Sequence, residues 1–254
     1  MSVKRHSVLL RVVLLALVPV VFLVGFVTYS ITTSAPTALA LVRSKVMVEN
    51  LGQPVRRLQL ALTAERAQVS VYYANPKVAA LARLQRREMI TNRAAAVFDA
   101  AAISTPVRNS ASAAGQRAIS ALRRQLTDLP ALRDKIVTAA IMGRRAFSAY
   151  NGMIAAGYQV LEQAIRQQGP STQVLPAIAV IELAISNEYL QQESALLNGD
   201  LAARTFTPHA HHAFVSLVGA HRLLYAQSYS FLSARDRAQL NHDLRPRAAH
   251  TLAT

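Results

Sequence analysis

The chain contains no cysteine and no tryptophan. Without cysteine there is no disulfide framework, no thiolate metal site and no thiol nucleophile. Acidic residues are scarce, 13 against 28 basic ones in 254 residues. They are scattered too, so no carboxylate pair stands out for general acid–base work. Glycines are few, at nine, and turn signals are widely spaced. That spacing, with little strand-like alternation, argues for helices. No Gly-rich phosphate loop, G-x-S-x-G elbow or H-E-x-x-H motif occurs, which leaves an enzyme without a visible catalytic constellation.

One feature is abundant. Residues 8–28 form a long apolar run behind Lys4, Arg5 and Arg11. About 20 apolar residues suffice for a membrane helix, and basic residues on the N-terminal side favour a cytoplasmic N-terminus. A cleaved signal peptide competes with this reading, since Ala38-Leu39-Ala40 offers a cleavage pattern. That pattern lies well beyond the run, and the run exceeds the usual apolar core of a signal peptide. The expected layout is a basic N-terminus (1–7), a transmembrane anchor (8–30), a helical domain (37–240) outside the cytoplasm and a disordered tail (241–254). The chain is then a single-pass cell-membrane protein.

The expected fold is all-α, with long antiparallel helices in one or two bundles. The first helix after the anchor is expected from about Pro36 to Tyr73, with Leu51, Val55, Leu58, Leu62, Val69 and Tyr72 as its apolar seam. Further helices are expected over 77–102, 110–126, 131–168, 174–201 and 207–231, with a short one from Ser233 to Leu240. Gln168-Gly169-Pro170 and Thr207-Pro208 read as a stop and a start.

Beside that seam, Gln59, Thr63, Arg66, Ser70 and Tyr73 recur at spacings of four, three, four and three. They form one polar stripe, with Glu65 adjoining. A solvated face would usually hold Lys, Glu and Asp. Hydroxyls, an amide and one arginine suit a hydrogen-bonding pocket instead. On the sixth helix Phe214, Val218, Arg222, Tyr225 and Tyr229 share a face. An arginine there must be paired or meet an anion. Glu188 and Glu193 are the candidate partners for a structural ion pair. Two arginines without a full set of acids would instead form an anion site, Arg66 and Arg222 holding the ligand and the stripe with Tyr225 lining the pocket.

These residues resemble a known family. Leu62-Thr63-Ala64-Glu65-Arg66, followed by Ser70 and Tyr72, is similar to the LQxER…S…Y signature of the nitrate- and nitrite-sensing domain. Glu193 through Gly199 and Phe214 through Tyr225 resemble segments of actinobacterial sensor-kinase ectodomains. The likeness covers roughly residues 37 to 240. It implies two helical bundles sharing long helices, with nitrate or nitrite held between arginines that match Arg66 and Arg222. Thr63 departs from the usual glutamine, and Ser70 sits one place after the usual hydroxyl. Kinase members carry a catalytic core, which these residues do not contain. The expectation is a non-catalytic sensor, or a truncated sensor histidine kinase, that works with a separate partner or as a homodimer. A helical envelope adaptor without a small ligand is the alternative.

No cofactor is implied. His209, His211, His212 and His221 cluster in sequence without supporting acids, which reads as surface or capping histidines and not zinc. Arg83, Arg86, Arg87 and Arg93 read as a solvated basic face. Nucleic acid is not an expected partner.

Overall fold

The computed structural model describes the backbone of residues 3–167 and 174–251, and the side chains of residues 38–167, 175–201 and 203–242. Among the described residues all regular structure is helical: α1 (Val3–Ala74), α2 (Val78–Ala102), α3 (Thr105–Ser110), α4 (Ala113–Thr127), α5 (Leu129–Val137), α6 (Gly143–Arg166), α7 (Val174–Ala203), α8 (Pro208–Phe231) and α9 (Ala234–Thr251). The chain divides into two compact units, Met1–Val42 and Arg43–Thr254. The first is the N-terminal part of α1. All packing described below belongs to the second.

The expected seam of α1 is the core. Leu51, Val55, Leu58, Leu62 and Val69 are buried, joined by Met47. Their partners are Leu84 and Phe98 of α2, Ile119 and Leu122 of α4, Ile136 of α5, and Tyr150, Ile154 and Val160 of α6. Three-and-four spacing places these residues on one side of each helix, so the helices enclose a shared apolar centre. α7 lies against α6, and α8 forms an antiparallel hairpin with α7. Starts are capped as the sequence suggests: Thr207 Oγ1 accepts from the Ala210 N–H at 3.1 Å, and Ser233 Oγ from the Asp236 N–H at 3.1 Å. Such caps satisfy otherwise orphaned donors.

Several boundaries differ from expectation. α1 runs unbroken from Val3, so Pro36 does not open a new helix. The expected third helix, 110–126, is α4, capped by Ser112, and a short additional helix, α3, precedes it. The expected long fourth helix is also two, α5 and α6. The break falls at Ala139, whose φ is +54°. Its N–H donates to Ile136 O at 3.2 Å, and the Ala140 N–H to Lys135 O at 2.9 Å, closing α5 in the manner usual for glycine. Alanine carries no sequence signal for this turn, which is why it went unseen. A left-handed alanine costs roughly 1–2 kcal/mol, so Ala139→Gly is expected to raise stability by about 1 kcal/mol. The midpoint of urea unfolding measures it, and an unchanged midpoint would refute the strain. α9 continues to Thr251, past the expected start of a disordered tail at 241. The expected stop at Gln168-Gly169-Pro170 lies outside the described residues.

The membrane placement is corrected. Among the described residues no helix is long and apolar enough to cross a membrane. The described part of α1 is amphipathic: Lys45, Glu49, Arg56 and Arg57 are exposed opposite the buried seam. It covers an apolar core, so it has no apolar girth to offer lipid. The single-pass arrangement with an outward helical domain therefore has no support from these helices. The run 8–30 that prompted it lies outside the residues whose side chains are described.

Candidate functional site

Arg66 is fully buried on α1. A buried guanidinium must find acceptors. Its Nη1 donates to Asn151 Oδ1 of α6 at 2.7 Å and to Glu188 Oε1 of α7, forming a buried ion pair. The pair belongs to a closed ring of hydrogen bonds. Asn151 Nδ2 donates to Gln192 Oε1 at 3.0 Å, and Gln192 Nε2 donates to Glu188 Oε1 at 3.2 Å. Thr63 Oγ1 donates to Glu188 Oε2 at 3.2 Å. Three helices are thus tied at one point. The Phe147 ring lies 5.0 Å from the guanidinium carbon, within cation–π range.

The ring uses only one nitrogen of Arg66. Nε and Nη2 are buried and have no hydrogen-bond partner among the described residues. Those two N–H groups lie on one edge of the guanidinium. They form the fork that meets a planar oxyanion in two parallel hydrogen bonds. Leaving both donors unmet costs about 1–3 kcal/mol each, an unusual expense beside a fully bonded network.

A groove of about 660 Å³ runs beside this network between α1, α6 and α7. Arg56, Gln59, Thr63, Asn187, Glu188 and Gln191 supply polar groups to its wall. Its volume lies within the range of small-ligand sites. Two glycines allow the helices to approach here. A Cβ on Gly157 would come within 3.0 Å of Gln59 Cγ, and one on Gly199 within 3.4 Å of Ser70 Cβ. The Tyr158 hydroxyl, donating to Ala184 O at 3.0 Å, bridges α6 and α7. Burial raises its pKa well above the ordinary phenol value, with the Glu188 charge adding to the rise and Arg66 opposing it. Tyr158 is therefore a fixed neutral donor throughout the physiological range.

The expected site residues divide into groups. Gln59 and Thr63 line the groove. Arg66 is not among its lining residues and is linked to it through Glu188, which also accepts from Thr63. Gln59 Nε2 also donates to Ile154 O at 3.1 Å. Ser70 back-bonds to Arg66 O at 3.3 Å. Tyr73 donates to Ile141 O at 2.7 Å and so ties α1 to the start of α6. Glu65 turns toward α5 instead of the groove. Its carboxylate accepts from Arg133 Nε and Nη2, both at 2.8 Å, and from the Tyr150 hydroxyl at 2.5 Å. Burial, then the Glu65 charge, pushes the Tyr150 pKa far above its usual range. Glu65 is a structural ion-pair residue.

Arg222 is exposed on α8, and no described contact joins it to Arg66. Glu188, one of its two candidate partners, is bound to Arg66. The neighbouring turns explain the outward setting. His221 bonds to Ser186 of α7 through its ring and backbone, which turns residue 222 toward solvent. Tyr225 lies between His221 and Tyr229, stacking on the latter with centroids 5.9 Å apart. Glu188, Asn151, Gln192 and Phe147 were not anticipated around Arg66. The usable signal was the i, i+4 pair Glu188 and Gln192 on α7, set against an arginine that needs a counter-ion.

Among the described residues no group of histidines and acids could hold a metal ion. His209 lies 3.3 Å from Arg144 Nη1, and His211 sits against Phe206.

The model of the nitrate and nitrite sensing family matches residues 58–254. The chain belongs to the nitrate and nitrite sensing family. Its fold is similar to the NasR transcription antiterminator, with a TM-score of 0.72 at 17% identity. The likeness covers 84% of this chain and 57% of NasR, so the chain spans little more than half the length of that relative. No curated protein matches it. The matched region holds the Arg66 network, the α7–α8 hairpin and the groove lining except Gly52 and Arg56.

Proposed function

We propose that this chain is a non-catalytic sensing domain that binds nitrate or nitrite at Arg66 and passes the binding event to a signalling partner. The observation that carries the reading is the buried, unmet Nε–Nη2 fork of Arg66. Nitrate and nitrite are small, planar and singly charged, and present two oxygens at the spacing a guanidinium edge accepts. Phe147 flanks the guanidinium, which suits a flat ligand. Family membership names the ligand class, and the buried fork supplies a chemical reason for it. Gln59 and Thr63 are polar residues of the adjoining groove. Arg222, exposed on α8, is not needed for this reading.

The test is thermal unfolding of the full chain with nitrate, nitrite, chloride or sulfate at matched ionic strength. A ligand at 100 times its Kd stabilises by about 2.7 kcal/mol. Nitrate or nitrite is expected to raise the Tm, with chloride and sulfate showing only the common salt effect. Arg66→Lys keeps the charge but loses the fork, so the selective rise is expected to vanish. Equal shifts with all four salts would overturn the reading.

A further inference from the structure

Arg66 and Glu188 are a neutral pair when bound to each other. An anion added to the free fork would leave one uncompensated negative charge in a fully buried site. Such a charge is strongly disfavoured unless it is paired. Among the described contacts, Arg66 is the cation bonded to Glu188. The other groups bonded to Glu188 are Thr63 and Gln192, with Tyr158 in its field, none of them a cation. Arg56 is an exposed cation in the wall of the same groove. Glu188 therefore occupies the counter-ion role that an incoming oxyanion would fill. It also lines the groove and is bonded to the fully buried Arg66.

We propose that Glu188 is an internal competitor of the ligand: an oxyanion entering at Arg66 displaces the Glu188 carboxylate and thereby releases α7 from α1. This inference rests on the proposed anion site. The exchange keeps the site neutral, and the displaced carboxylate has the groove to turn into. It has a mechanical consequence because the two partners sit on different helices. Glu188 takes three hydrogen bonds with it: those from Arg66 and Thr63 of α1, and that from Gln192 on its own helix. Among the described residues, the hydrogen bonds left between the α1–α6 side and α7 are Asn151 to Gln192 and Tyr158 to Ala184. α8 packs on α7, so the hairpin is the element whose docking the ligand sets. A ligand shifts an equilibrium only through unequal affinity for its two states. Here the inequality has a source, since the fork is compensated by Glu188 in one state and by the ligand in the other.

Glu188→Gln tests this. The amide keeps an acceptor for Arg66 Nη1 but removes the competing charge. Nitrate titrations of the full chain by calorimetry are expected to show tighter binding in Glu188→Gln by about 5–150-fold, the usual size of coupling between two sites. A second readout separates displacement from simple repulsion. The chain has no cysteine, so Arg57→Cys with Leu190→Cys gives a single labelled pair on exposed positions of α1 and α7. Nitrate is expected to broaden and lengthen the spin-label distance in the otherwise native chain. In Glu188→Ala, which keeps no acceptor for Arg66 or Thr63, the longer distance is expected before nitrate is added. Binding that is unchanged or weaker in Glu188→Gln, or a label distance that nitrate does not move, would overturn the exchange while leaving the anion site standing. Failure of nitrate and nitrite to bind either protein would overturn the anion site itself.

Discussion

Glu65→Ala is expected to lower the stability of the domain by about 3–5 kcal/mol, the usual effect of orphaning a buried charge. The substitution would leave the Arg133 guanidinium, 9% exposed, with Asn92 Oδ1 at 2.7 Å and the Glu88 carbonyl at 3.4 Å as its acceptors. It would also strip the Tyr150 hydroxyl of its acceptor. Arg133 titrates above its ordinary value. Burial works against its charge, but the hydrogen bonds and charge of Glu65 outweigh it. That balance fails when the carboxylate goes. Since a typical domain has a net stability of about 5–15 kcal/mol, such a loss brings the variant near unfolding at ordinary temperature. Urea unfolding followed by circular dichroism measures it. A loss below about 1 kcal/mol would mean that Arg133 finds water, and that the pair is a surface interaction in effect. Glu65→Gln should fall between the two, because the amide still accepts one bond.

The difference between Glu65 and Arg66 shows what was legible in the sequence. The apolar seam of α1 was legible because burial repeats at three-and-four spacing, and Leu51, Val55, Leu58, Leu62 and Val69 are all in the core. The polar stripe was legible by the same geometry, and it led to Arg66. Neighbours in sequence were harder. Adjacent helical positions point about 100° apart, so Glu65 serves the α5 side while Arg66 serves the α7 side. Periodicity on one helix does not say which other helix lies opposite each face. For that reason Arg133, on a nine-residue helix, had no visible role, and Glu188 stood with Glu193 as a candidate partner for Arg222. The pairing rule was sound, since a buried arginine did take Glu188. The wrong arginine was named because Arg222 shares a face with aromatics that stack on each other along α8 and leave it in solvent. The turn at Ala139 was invisible for another reason: the chain tolerates a strained alanine where glycine would have announced the break.

The Arg66–Glu188 pair is expected to behave quite differently when removed whole than when removed by halves. Arg66→Met alone strands a buried carboxylate, and Glu188→Leu alone strands a buried guanidinium. Each should cost about 3–5 kcal/mol. The double variant removes both charges and puts apolar side chains of similar bulk in their place, with Phe147 already beside them. Its stability should return to within about 1 kcal/mol of the parent, or exceed it, because apolar replacements of buried ion pairs are often neutral or stabilising by about 1–4 kcal/mol. A thermodynamic cycle over the four proteins, from urea unfolding, gives the coupling directly. If the double variant folds as well as the parent, the pair is not there for stability. The two unmet N–H groups on Arg66 already point that way, since a site arranged only for stability would have met them. The same double variant should then show no selective nitrate or nitrite stabilisation, having lost the fork while keeping the fold. A well-folded double variant that still responded to nitrate would remove Arg66 from the ligand site. One that failed to fold would make the pair a structural element first, because the two charges would then be contributing more than the apolar packing that replaced them.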